Sequence, residues 1–166
     1  MTRTAVLGLL LLIAVGGYLF QHYRPRPPAP DFALRTTDGR EVRLEDHYGH
    51  VLVLDFWASW CPPCRASIPA IDRLYAKYRD RGVMVYGVQI RDEVDPAKYL
   101  ADRGADYPAL IGTDAVQRAF DVVSIPTIVI IGVDGSIVHR SSGWSSSDEA
   151  KIDRALGNYL AQVGMN

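Results

Sequence analysis

Val51-Leu52-Val53-Leu54-Asp55-Phe56-Trp57-Ala58-Ser59-Trp60-Cys61-Pro62-Pro63-Cys64 runs from an apolar segment straight into a Cys-x-x-Cys pair. The near-continuous apolar character of Val51–Trp57 predicts a strand buried on both faces. After Cys64 the apolar spacing changes to that of a helix, with Ile68, Ile71, Leu74, Tyr75 and Tyr78 on one face. Cys61 and Cys64 are the only two cysteines in the chain. Two thiols three positions apart at a strand-to-helix junction can close into a disulfide and reopen with little backbone movement. That suits thiol–disulfide exchange. A structural disulfide is the weaker reading, because such a bond stabilises mainly by closing a long loop. A structural zinc site needs four ligands, and His22, His47, His50 and His139 are scattered.

Outward from this junction the chain reads as an α/β domain. Phe32–Leu34 and Glu41–Leu44, joined through Thr37-Asp38-Gly39-Arg40, predict a hairpin with an Asp-Gly turn. The helix after Cys64 contains Pro69, where a kink is expected, and ends near Arg81-Gly82. Val83–Ile90 predicts the next strand, and strand–helix–strand gives a right-handed parallel unit. Asp95-Pro96 starts a helix closed by Gly104. A short strand at Ala109–Ile111 and a short helix at Asp114–Phe120 follow. Ile128–Ile131 and Ile137–Arg140 flank Gly132-Val133-Asp134-Gly135-Ser136, an antiparallel hairpin signal. Ser146 and Glu149 have capping-box spacing before a last helix. The order is hairpin, βαβ, helical insert, hairpin, helix: a mixed sheet with a parallel centre, flanked by helices.

The 166 residues carry a formal net charge of −1 and 48% hydrophobic residues, enough for a core and without the electrostatic footprint of a nucleic-acid binder. Ala5–Phe20 holds no charged residue and spans about 24 Å as a helix; adding Gln21–Tyr23 brings it near the roughly 30 Å of a bilayer core. Tyr18 and Tyr23 are placed for the interface. Residues 1–23 are therefore expected to be an uncleaved membrane anchor, with a cleaved signal peptide as the competing reading. Residues 24–30, with Pro25, Pro27, Pro28 and Pro30, predict an extended spacer. Residues 31–166 form the globular domain. Arg3 on one side and Arg24 and Arg26 on the other do not orient the anchor by charge. Disulfides persist in oxidising compartments, which assigns the domain to the outside.

At the junction itself, a helix starting beside Cys61 directs its N–H groups and positive dipole end at that sulfur, favouring the thiolate. Cys61 is expected to attack and Cys64 to resolve. Pro62 and Pro63 remove two N–H donors, which implies a less stabilised reduced form and a reducing couple. Asp55, the only charge in the strand, is expected to be a desolvated carboxyl that exchanges protons with Cys64; the structural alternative is a buried carboxyl satisfied by hydrogen bonds. Ser124-Ile125-Pro126-Thr127 precedes the Ile128 strand and can be read as an ordinary loop end.

Asp55–Arg65 strongly resembles the thioredoxin active-site segment, and Pro69 and Ile125-Pro126-Thr127 are similar to thioredoxin features. The closer likeness, over roughly Pro30–Leu160, is to the membrane-anchored TlpA/ResA/DsbE-like branch, on Pro30–Leu34, Asp38-Gly39-Arg40, Tyr107-Pro108 and Val133–Ile137. The resemblance implies a thioredoxin fold with an N-terminal hairpin extension and a helical insert. It implies that Pro126 is cis and faces the disulfide, and that Ile125 pairs with substrate backbone. Trp60, Pro62, Pro63, Ile125, Pro126 and Thr127 then bind substrate. No cofactor beyond the Cys61–Cys64 disulfide is implied. The expected activity is reduction of a disulfide in a client protein, of the cytochrome c maturation or metal-site assembly type. With two cysteines the domain cannot relay electrons internally, so a membrane thiol reductase is the expected donor. The expected location is the bacterial inner membrane, single-pass, with a monomeric domain in the periplasm. A dithiol oxidase or isomerase, and a non-catalytic module holding client or copper, are the alternatives. No PxxxTxxC-like segment surrounds Cys61, which disfavours a peroxidase. Both residues between the cysteines are proline, where many cytochrome c maturation members carry an acidic residue. Gly87 stands where thioredoxin places a lysine.

Overall fold

The computed structural model describes residues 3–22 and 25–165. Its globular part is a seven-stranded mixed sheet in the order β2-β1-β5-β4-β3-β6-β7. The strands are β1 (Ala33–Arg35), β2 (Glu41–Arg43), β3 (Val51–Trp57), β4 (Val83–Gln89), β5 (Ala109–Ile111), β6 (Thr127–Ile131) and β7 (Ile137–Ser142). β3, β4 and β5 are parallel neighbours, while β6, β7 and the β1–β2 hairpin pair antiparallel. The parallel centre and antiparallel edges match the reading of the sequence. Gly39, with φ of 85°, supplies the left-handed position of the first turn.

Every residue of β3 is buried. Because side chains alternate across a strand, Leu52, Leu54 and Phe56 enter one core with Phe32, Leu34, Val42 and Phe120. Val51, Val53 and Trp57 enter the other, against α2 (Pro62–Tyr78) and α5 (Asp148–Gln162). α2 buries Cys64, Ile68, Ile71, Leu74 and Tyr78 along one stripe and continues through Pro69. A 3₁₀ turn, Arg79–Arg81, and left-handed Gly82 end it. The insert holds α3 (Pro96–Ala101), capped by Asp95, and α4 (Asp114–Ala119), capped by Thr113.

Two local expectations are corrected. Ser146 and Glu149 do not cap α5. Ser145 donates from both N and Oγ to Asp148 Oδ2 at 2.6 Å, while Glu149 accepts two bonds from Arg73 of α2 at 2.9 and 2.6 Å. A two-pronged guanidinium outcompetes a local cap for that carboxylate. The end of the proline-rich stretch does not stand clear of the domain either. Ile137 N donates to Pro27 O, and Ala29 N to Gly135 O, both at 2.8 Å. Arg26 donates to Gln162 Oε1 at 3.1 Å and lies 5.1 Å from the centre of the Tyr159 ring.

α1 (Arg3–His22) carries exposed Val6, Leu9, Leu10, Leu11, Leu12, Ile13 and Val15. Its side chains are described only at 6 and 8–17. Among the described residues no helix is long and apolar enough to cross a membrane. Tyr23 and Arg24, expected at the membrane interface and beyond, lie outside the described residues, as do the side chains of Arg3 and Tyr18.

Phe120 joins the hairpin to the sheet, with ring centroids 6.0 Å from Phe32 and 5.5 Å from Phe56. Phe120→Ala is expected to cost about 3–5 kcal/mol of stability, read from urea unfolding. A loss below about 1 kcal/mol would show that the hairpin is held by other contacts.

Candidate active site

β3 ends at Trp57, and the chain turns through Ala58-Ser59-Trp60 into α2. Cys61 is the N-cap of α2, with Pro62 and Pro63 as its first two helical residues. Of the first three N–H positions of a helix, two are therefore missing. The third, Cys64 N–H, donates to Cys61 Sγ at 3.2 Å. The cysteines are joined as a disulfide with Cα atoms 5.3 Å apart. Cys61 keeps 4% of its surface and Cys64 none, so an incoming group meets Cys61 first. Trp60, Pro62 and Pro63 are exposed around it.

The peptide bond Ile125–Pro126 is cis. The Ile125 carbonyl oxygen lies 3.6 Å from Cys61 Sγ, which brings the loop before β6 against the disulfide. Ile125 is half-buried and Pro126 buried. Val123, two residues upstream, is 82% exposed. Thr127 sits differently from the other expected contacts. It is fully buried, and its hydroxyl donates to Ser124 O at 2.7 Å and lies 2.9 Å from Ser142 Oγ. It holds the loop rather than facing outward.

Several residues here were not singled out from sequence. Ser59 N–H donates to Asp92 Oδ2. Burial opposes the charge on Asp92, yet the Ser59 hydroxyl, followed by the N–H groups of Ser59, Val94 and Glu93, holds its carboxyl below the usual range. Trp60 Nε1 donates to Arg91 O at 3.0 Å, and Tyr99 OH donates to Ser59 O at 3.0 Å while its ring stacks on Trp57 at 5.0 Å. Arg91 and Asp92 follow β4, and parallel strands bring the segments after their C-terminal ends side by side. That register was the available signal for them.

Asp55 lies between Val53 and Trp57 on the face of β3 covered by α2, and it is completely buried. Oδ2 accepts from Tyr107 OH at 3.3 Å, and among the described residues Oδ1 has no hydrogen-bond partner. Gly87 is its direct neighbour on β4. Burial pushes the Asp55 carboxyl from 3.8 up to about 7, with the Tyr107 hydrogen bond pulling weakly the other way. A carboxyl so placed gives up or takes a proton near neutrality.

The raised value has a consequence for stability. Between pH 4 and pH 7 the folded protein keeps a proton that the unfolded chain has released, so stability falls as pH climbs through that window. At 1.36 kcal/mol per pH unit the full loss, reached above pH 7, is about 4 kcal/mol. In Asp55→Asn this slope should vanish. Urea unfolding of the oxidised proteins should therefore move in favour of the variant by about 4 kcal/mol between pH 4 and pH 8. Parallel stability curves would contradict the buried, proton-holding carboxyl.

Comparison with known proteins agrees with this geometry. Residues 25–140 match the AhpC/TSA family model. The thiol-disulfide oxidoreductase ResA of Geobacillus thermodenitrificans is 32% identical over 158 residues, covering 90% of each chain. ResA of Bacillus subtilis is 28% identical, covering 85% of this chain and 83% of its own. A thiol:disulfide interchange protein of the thioredoxin family from Chlorobium tepidum superposes with a TM-score of 0.72 at 28% identity, over 82% of this chain and 98% of that one. With its Cys61–Cys64 disulfide at the start of α2, this chain belongs to the AhpC/TSA family, as a thioredoxin-like thiol–disulfide oxidoreductase of the ResA type.

Proposed function

We propose that the chain reduces disulfides in extracytoplasmic client proteins, of the cytochrome c maturation or metal-site assembly type. The observation that carries the direction is the start of α2: Pro62 and Pro63 lack N–H groups, and only Cys64 N–H reaches Cys61 Sγ. Fewer donors stabilise the Cys61 thiolate less, and a less stabilised reduced form gives electrons more readily. The exposed apolar rim of Trp60, Pro62, Pro63 and Val123 suits an apolar client segment. The Ile125 carbonyl beside the sulfur supports a reading in which Ile125 pairs with the client backbone.

In the reductive direction the Cys61 thiolate attacks one sulfur of the client disulfide. That bond breaks, one client thiolate leaves, and a Cys61–client disulfide forms. Asp55, as carboxylate, takes the proton of the Cys64 thiol. The Cys64 thiolate then attacks Cys61 Sγ, forming the Cys61–Cys64 disulfide and releasing the second client thiolate. The client gains two electrons and the dithiol loses two. Asp55 returns its proton to the leaving thiolate or to water, and a membrane thiol reductase restores the dithiol.

The same proposal places α1 in a membrane as an uncleaved anchor, with the domain in the bacterial periplasm as a monomer. Its exposed Val6, Leu9–Ile13 and Val15 support that placement. The contacts of Pro27 and Ala29 lie at the β6–β7 turn. β6 runs antiparallel to β3, with Thr127 opposite Phe56 and Ile131 opposite Leu52, so that turn is at the end of the sheet away from Cys61. The tether therefore leaves the disulfide free to face clients.

Cys64→Ser removes the resolving sulfur and should accumulate a Cys61-linked disulfide with the client, visible by mass spectrometry and lost on adding dithiothreitol. Full-length protein from membranes that carries no Cys61-linked species would contradict exchange chemistry.

A further inference from the structure

Among the described residues Asp55 has no cation beside it. No ion pair among the described residues includes it, and its neighbour across the sheet is Gly87. A Cβ at Gly87 would stand 2.8 Å from Trp57 Nε1 and 3.0 Å from Tyr107 Cε2. Two aromatic rings thus occupy the space that a longer side chain on β4 would need. Among the described residues the only hydrogen-bond donor on the carboxyl is Tyr107 OH, at 3.3 Å from Oδ2.

Tyr107 is fixed from both sides. Asp106 N–H before it donates to Asp72 Oδ1 of α2 at 2.7 Å, and Pro108 O after it accepts from Gly87 N–H at 2.9 Å. The ring is buried, with 2% of its surface exposed. We infer that Tyr107 is the positioning residue for Asp55: its hydroxyl, held between α2 and β4, orients the carboxylate that takes the proton of Cys64. This inference rests on the proton-accepting role of Asp55 proposed above.

Burial first, and then the adjacent Asp55 charge, hold the Tyr107 hydroxyl well above its usual value. It therefore remains a donor throughout and never competes for the proton. The titratable groups around the pair come mainly from α2: Cys61 and Cys64 when reduced, and Asp72, whose charge also opposes ionisation of Tyr107. β4 contributes Gly87, β6 contributes Ile128 and α3 contributes Leu100, none of which titrates.

The test is the rate of resolution against pH, read as thiol release from a preformed Cys61 mixed disulfide with 5-thio-2-nitrobenzoate. Loss of a donor to the carboxylate raises its proton affinity. Tyr107→Phe should move the acidic limb of the profile up by about one pH unit. 3-Fluorotyrosine at position 107 keeps the ring and makes a stronger donor, so it should move the limb down even if the phenylalanine variant folds poorly. Profiles superimposable on wild type in both proteins would overturn the inference. Asp55→Asn separates the two failures. If it moves the limb up toward the range of an unassisted thiol, about 8.5, while both Tyr107 changes leave it in place, only the role of Tyr107 fails. A limb left at its wild-type position in Asp55→Asn overturns the role of Asp55 and this inference with it.

Discussion

The contact on which the site depends is the 3.2 Å hydrogen bond from Cys64 N–H to Cys61 Sγ. It makes the sulfur of Cys61 a helix cap, a position usually held by Ser, Thr, Asp or Asn. A cap must sit just outside the helix with extended backbone, and Cys61 does, at φ of −91° and ψ of 108°. β3 has to end where it does for that to happen, and its seven buried residues fix the end. The dipole of α2 then acts on Cys61, while Cys64 lies one turn inside and covered. The two thiols differ in role because one is the cap and the other is in the helix.

The same strand supplies the proton chemistry. Alternation along β3 sends Asp55 into the α2 face, where burial governs its proton affinity more than any charge does. Behind the disulfide a carboxyl, a phenol and an indole thus lie close together over Gly87, and the carboxyl is the one group of the three that changes charge near neutrality. An ion pair there would carry a heavy desolvation penalty. A neutral carboxyl with one weak donor avoids most of it and leaves a group that exchanges its proton near pH 7.

Local signals were legible where they were continuous along the chain. The apolar run of β3, the Cys-Pro-Pro-Cys helix start and the two hairpins could all be read from neighbouring residues. So could the buried place of Asp55, as one charge within an apolar strand. Contacts made by folding were not. Tyr107 lies 52 positions from Asp55, and Asp92 lies 33 from Ser59; only the parallel register of β3, β4 and β5 joins them. Glu149 reads as a cap until Arg73, on another helix, becomes its partner. The proline-rich stretch reads as a spacer because proline cannot enter a regular ladder. Pro27 nevertheless contributes its carbonyl, which needs no N–H. Thr127 shares a tripeptide with Ile125 and Pro126, yet as the first residue of β6 it turns inward.

The direction of electron flow rests on how few donors reach Cys61, so the most direct measurement is the reduction potential of the Cys61–Cys64 couple against a glutathione or dithiothreitol buffer at pH 7. A helix start stripped of two N–H groups predicts a value near the thioredoxin end of the scale, about −270 mV. A value near that of the strong disulfide donors, about −120 mV, would contradict it and reverse the direction proposed here.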